Sequence, residues 1–589
     1  MAKKFPQTGV WRQDNLGDKF GDLVRSFNLD LLSEQGKIRS SGRLVLNTSS
    51  NDDADLGIPF SAVYNNTLNK WHVGCGEFVF VGDNLPNETF TQDSATDSPS
   101  MTTTSRPDLA ILPRTNGDDR TFAMSAELWK LDDNGSDWDV ITSLGGSANG
   151  APLIPFNGRL YYRIGKSSMG SIDNADSPTA VAPTNTYALA LNDNSQDISC
   201  GKANAENIFL GTIAKSPTRK ARVHQWNGSS TAVTKTYEID AQGVLAMVIF
   251  KNTPVILDSN GVLRMLNGGS FVEIARIPFK RDKAFRDITT ATHTTFLCHY
   301  NGMATDGERI LMNLNTTYKD GTTDENCPSG VWEWNATNGL FHHGSFGLSK
   351  SGDSITDYGA LKLSAIGALT LARVNDTSSN GEFLAGAQFY TTATVTKNGI
   401  FYNDSNDTLQ KASSFITTKI FSPNITDTWK KFYARFRKFL NSTDKIVVKY
   451  RTVEDEPNEA TITYTSTTTL TVPTASFTTA PVEGDEIEII QGVGAGRCAH
   501  ITAVTTNGSN YEITVDETIT GATTQTAKAL FQTWNKIGSY NAQTDDFVKY
   551  EMTERNSSTW VQFKVWVLWT GKNEIHDLIV SSKVSEAIE

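Results

Sequence analysis

The residues of this 589-residue chain best able to hold a metal or attack a substrate are its five cysteines and eight histidines. Their spacing supports neither use. Cys75, Cys200, Cys298, Cys327 and Cys498 are odd in number and far apart, with no C-x-x-C pair. Disulfide frameworks and zinc knuckles need closer, paired cysteines, so the pattern fits thiols kept reduced in a cytosol. Cys298-His299 and Cys327 could meet only through the fold. His342 and His343 are adjacent, and neighbours on a strand point to opposite faces, so they cannot share one ion. Asp52-Asp53 with Asp55, and Asp132-Asp133, offer oxygen ligands for calcium. Neither lies in a twelve-residue loop with its fixed glycine and closing glutamate, so both read as solvated loop carboxylates.

Gly492-Val493-Gly494-Ala495-Gly496 would cradle a phosphate only between a strand and a helix. Here a strand pattern follows, Ala499-His500-Ile501-Thr502, so the glycines read as a turn of a small barrel. There is no G-x-S-x-G elbow and no cysteine in a nucleophile signature. Asp133-Asn134-Gly135-Ser136-Asp137-Trp138 matches part of the Asp-box of sialidase-like propellers, once only. That box is itself a blade turn and does not imply hydrolysis. Lys430, Lys431, Arg435, Arg437 and Lys438 alternate with aromatics. At strand spacing Lys431, Tyr433, Arg435 and Arg437 share one face and Phe432, Phe436 and Lys438 the other, a charged face and a core face suited to a subunit contact. No catalytic, cofactor-binding or metal residue is assigned.

The elements that would position these residues have a recurring grammar. A short apolar and aromatic run breaks at Asn or Gly and resumes. It appears at Leu128-Trp129-Lys130-Leu131 before Trp138, at Val223-His224-Gln225-Trp226, at Leu263-Arg264-Met265-Leu266 before Phe271, and at Val331-Trp332-Glu333-Trp334 before Phe341. Strand, tight turn and return strand repeated in this way predict propeller blades, which must stack to bury both faces. The expected fold is all-β: an irregular β-propeller followed by a C-terminal β-sandwich with an inserted small β-barrel. Residues 1–41 read as an N-terminal arm that orders on a neighbour, and 42–420 as a body of six or seven blades. Residues 421–453 with 534–589 form the sandwich, and 454–533 the barrel. The segment 83–107 reads as a long polar surface loop.

Composition agrees. The length allows about three to four domains. Aromatics make up 10% of the chain and charged residues only 20%, with 45 glycines, a balance that fits a turn-rich β protein and not disorder. A net charge of −12 argues against gripping nucleic acid, yet suits a lumen through which DNA slides without adhering. No apolar run approaches the roughly 20 residues of a spanning helix, and no signal peptide is visible.

This order of parts, together with the barrel phrase Glu483-Gly484-Asp485-Glu486 … Gly492 to Arg497 … His500-Ile501-Thr502, resembles structural tail proteins of tailed bacteriophages. The propeller-bearing nozzle or hub at the tail end is the type most similar. The resemblance implies a non-enzymatic virion component assembled in the host cytoplasm. It also implies a homo-oligomeric ring, hexameric in that family, with DNA passing through the lumen and with tube, adaptor and fibre proteins as partners. No cofactor and no functional residue carries over. The rival expectations are a propeller-based glycan-binding or glycan-degrading receptor protein and a cellular scaffold propeller.

Overall fold

The computed structural model describes residues 57–277 and 297–315 apart from short loop gaps, and the barrel region 458–540 apart from 493–497 and 517–524. Elsewhere it describes the strands named below. Among the described residues the only helical piece is the 3-10 turn Thr474–Ser476.

Seven four-stranded antiparallel sheets follow one another, at 59–92, 108–143, 150–190, 196–239, 244–276, 298–344 and 363–404. The seventh has three strands of its own and takes Leu44–Leu46 as its outermost strand, with Phe401 opposite Leu46 and Asn403 opposite Leu44. The first strand of each sheet packs against the first strand of the next. Leu363–Leu371 of the last packs on Pro59–Asn65 of the first, so the ring closes. The body is a seven-bladed propeller.

The recurring sequence phrase is the third strand of a blade with its turn into the fourth. Gly330–Asn335 pairs with Gly339–Gly344 in this way, as does Val262–Asn267 with Ser270–Arg276. The core is not central. A buried apolar cluster lies at each of the seven blade interfaces. Between blades 5 and 6, for example, Leu245, Phe250 and Leu257 meet Met303, Met312 and Trp332. Burying one such side chain contributes about 1.5–3 kcal/mol, so the seams hold the ring. At the closing seam the backbones touch. A Cβ on Gly367 would lie 1.9 Å from the Pro59 carbonyl oxygen, so only glycine fits there.

The expected loop 83–107 contains the fourth strand of blade 1, Thr91–Gln92, and buries Phe90 and Met101. Its polar composition hid these two anchors.

Two further sheets form the sandwich. One has the order Leu23–Phe27, Ser413–Thr418, Val561–Leu568, Lys445–Thr452, Asn535–Tyr540. The other has Leu29–Asp30, Ile38–Ser40, Glu574–Val584, Asp427–Phe436, Phe547–Glu551, with Ala2–Lys4 also paired to Glu574–Val584. The residues read as an arm therefore pair within their own chain: Ala2 lies opposite Ser581, and Phe27 opposite Phe415. These strands have two to five residues, too short for alternation to reveal them. Ser413–Thr418, placed with the propeller by sequence, pairs in the sandwich. Between Lys445–Thr452 and Asn535–Tyr540 the chain makes a closed six-stranded barrel over 458–532, filled by Ile462, Val472, Ile487, Ile489, Ile513 and Phe531.

Candidate functional site

The two places where polar side chains converge are the propeller axis and the contact of barrel with sandwich.

At the axis, six of the seven innermost strands have a register shift against the second strand; Asp108–Pro113 does not. The largest is in Cys298–Thr305. Cys298 pairs with Leu314 and Met303 with Met312, so residues 299–302 stand opposite Asn313 alone. Extra residues in a strand bend it and re-aim its side chains. Here they reach across the axis. The Tyr300 hydroxyl donates to the Pro107 carbonyl, and the Asn301 amide donates to the Phe60 carbonyl (3.2 Å) and to Asp108 Oδ1 (2.8 Å). Blade 6 is thus bonded to blades 1 and 2.

Asp108 also accepts from Ser61 Oγ at 3.0 Å and, through Oδ2, from the Leu153 N–H of blade 3 at 3.0 Å. Burial pushes its carboxyl up, against the pull of Lys202 and these donors. Beside it the His299 ring lies 3.9 Å from the Tyr300 ring, and its Nδ1 accepts the Asn301 N–H at 3.2 Å. Arg106 and Arg163 both donate through Nη1 to the Ile198 carbonyl, at 3.2 and 3.0 Å. Burial, with Arg106 beside it, brings Arg163 down to about 9. These contacts join blades. They form no nucleophile–base pair and no pair of carboxyls.

At the second place, Lys449 and Lys564 are cross-strand partners in the sandwich. Val448, Tyr450, Phe563 and Val565 alternate with them and are buried, so the lysines share the opposite face. Like charges directly opposite repel. The barrel supplies the counter-charge. Along Glu486–Gly492, Ile487 and Ile489 point into the barrel while Glu486 and Glu488 point out of it. Glu486 accepts from Lys449 Nζ at 2.8 Å and also pairs with Lys564; Glu488 lies 3.6 Å from Lys564 Nζ. Lys449 also donates to His500 Nε2 at 2.5 Å, and His500 Nδ1 is 2.9 Å from Asp516. Burial alone would raise the Glu486 carboxyl, but Lys564 and Lys449 hold it well below the usual carboxylate range. Nothing in the local spacing marks this network, since its partners are separated by 37 and 78 residues.

The sequence candidates do not converge on either place, except for Cys298-His299. Asp132 accepts the Ser136 and Asp137 N–H groups, Asp133 pairs with Arg114 and Arg120, and Trp138 is buried with Nε1 donating to Asp93. The Asp-box residues therefore build a turn, and the calcium option at Asp132-Asp133 loses its ligands to N–H donors. His343 bonds Glu333 at 3.0 Å, and Cys298 is a buried free thiol. Asp52, Asp53, Asp55 and Cys327 lie outside the described residues, as do Gly494 and Gly496. Gly492 ends one barrel strand, and Cys498 begins the antiparallel strand paired with it. In the basic run, Lys431 is opposite Glu551 and Arg435 opposite Asp577. Among the described residues no three His, Cys, Asp or Glu are disposed to hold a metal, and no helix is long and apolar enough to cross a membrane.

No family model matches this chain, and no curated protein does. Among solved structures, similar chains include the β-propeller domain of Swd1 from Myceliophteria thermophila, at 12% identity and TM-score 0.36, covering 58% of this chain and 96% of that one. BamB from Moraxella catarrhalis is similar at 13% identity and TM-score 0.31, covering 61% and 99%. The computationally designed Ika8 protein is similar at 12% and 0.34, covering 61% and 99%. The propeller assignment stands on the strand pairing described above.

Proposed function

We propose that this chain is a structural protein of a bacteriophage tail, of the nozzle or hub type, forming a ring of copies that carries other tail proteins. One observation carries the reading. A propeller is followed by a sandwich into which a small barrel is inserted, and these are three of the four parts on which the sequence resemblance rests; the fourth, the arm, pairs with the sandwich instead. The axis adds support, because its polar groups are spent joining blades. Any DNA path would then run between copies and not along the propeller axis, which residues 299–302 cross.

The acid is also unevenly placed. Residues 454–533 hold eleven Asp and Glu against two Lys and Arg, a net −9 of the chain's −12. The barrel is therefore the surface least able to hold a duplex, and it suits a position facing the passage.

Negative-stain imaging of the purified chain, alone and mixed with tail proteins, tests this. Rings with the barrels at the inner rim are expected. A monomer or trimer that binds or cleaves host polysaccharide would overturn the reading in favour of a receptor protein.

A further inference from the structure

We propose that residues 299–302 are an acid-releasable plug of the propeller axis, with His299 as the group whose protonation releases it. The inference does not depend on the tail assignment.

The geometry has three parts. The excursion is the largest departure from regular pairing among the innermost strands, four residues against one. It is held in the axis by bonds from Tyr300 to Pro107 and from Asn301 to Phe60 and Asp108. Its shape depends on His299, because Nδ1 accepts the N–H of Asn301, two residues on. An acceptor nitrogen carries no proton. The closed plug therefore requires His299 neutral, because the imidazolium has no acceptor to offer the Asn301 N–H.

The surroundings disfavour the cation. His299 is fully buried. Arg106, from the segment entering blade 2, acts on it directly, and Arg163 of blade 3 lies in the same cluster through Tyr300. Asp108 of blade 2 and Asp197 of blade 4 are the carboxylates there, and the first is committed to Ser61, Leu153 and Asn301. Cys200 of blade 4 and Cys298 are buried thiols, and burial pushes both up, so they stay uncharged. Gly302 fits the turn back into the strand, where a Cβ would meet Cys298 Sγ at 2.8 Å.

Burial, then Arg106, lowers His299 to about 3 in the closed form. With the ring in water it would titrate near its ordinary 6.5. The closed form is then at full strength above pH 6.5 and weakens as pH falls toward 3. At pH 4.5 the open fraction should rise roughly 70-fold over pH 7.

Hydrogen exchange of the full chain, read by mass spectrometry at pH 7, 5.5 and 4.5 and corrected for intrinsic rate, tests this. The amides of 299–303 are expected to lose protection first, while the middle strands of blades 2 to 5 keep theirs. In His299→Asn the side-chain oxygen, on the same Cγ as Nδ1, still accepts the Asn301 N–H but takes no proton, so 299–303 should stay protected at pH 4.5. If that variant does not fold, the order of opening in the unmodified chain decides. Exchange at 299–303 that tracks all blades together, or that persists unchanged in the asparagine variant, overturns the proposal.

Discussion

At the scale of single residues, the strongest dependence is on Glu486. It stands between two lysines that would otherwise face each other, and both lysines are buried. Removing one partner of a buried ion pair costs about 3–5 kcal/mol, so Glu486→Gln should weaken barrel and sandwich by that order. Denaturant unfolding followed by Trp534, whose indole donates to Gln532 beside the network, measures it. Replacing Lys449, Lys564 and Glu486 by Met, Met and Leu, with Glu488→Gln so that no buried carboxylate is left without its lysine, should restore most of the loss. Glu486 also sets a pH sign. Its carboxyl is depressed, so its contribution is complete above the ordinary carboxylate range and fades as pH falls below it.

His72 adds to acid sensitivity at a higher pH. Burial holds it at about 4, so the unfolded chain takes the proton first between 6.5 and 4. Stability is full above 6.5 and has fallen by about 3 kcal/mol at pH 4. Urea unfolding at pH 7, 5.5 and 4 should show a shallower pH dependence in His72→Gln than in the unmodified chain.

At the scale of elements, the closing seam is the place where substitution tells most. Gly367→Ala would drive a methyl group into the Pro59 carbonyl, and neither backbone can retreat without parting blades 7 and 1. A loss of about 3 kcal/mol or more is expected by thermal unfolding. An unchanged melting temperature would mean the seam is looser than the strand pairing implies.

The elements also show what could be read from the chain. Third strands were legible, because Trp226, Trp332 and Leu263 alternate with polar residues and stop at Asn. Three of the six barrel strands were legible at 486–490, 499–504 and 511–515, where apolar and polar residues alternate, and they lie in Glu486–Gly492, Cys498–Asn507 and Asn510–Val515. The innermost-strand shifts were not, since a shift changes register without changing composition. The axis contacts of Asn301 and Asp108 depend on ring closure over 193 residues, and no local pattern encodes that. The short strands near the N-terminus lacked the length for a period to emerge.

At the scale of the whole molecule, the sandwich is the base and the other two bodies are its insertions. Deleting 454–533 and bridging the gap with a short Gly/Ser linker should leave the propeller's unfolding unchanged. It should also weaken the sandwich, because Lys449 and Lys564 would stay paired across strands with no carboxylate between them. Adding Lys564→Met to the deletion should recover that loss. Propeller unfolding that shifts along with the deletion would mean that the bodies are coupled beyond the strands traced here.

The pairing of Ala2 with Ser581 also has a meaning in time. Synthesis runs from Ala2 toward Ser581, and at ~5–20 residues per second the partner strand follows roughly 30 to 115 s later. Leu44–Leu46 waits for residues 401–403 and Leu23–Phe27 for 415–418, but Ala2–Lys4 and Ile38–Ser40 wait with open edges until Glu574–Val584 is made, when every blade already has all its strands. Glu574–Val584 seats strands made long before it. A nascent chain that stops short of Glu574–Val584 keeps unclosed edges for proteases to find, and making that one strand covers the edges of Ala2–Lys4 and Ile38–Ser40.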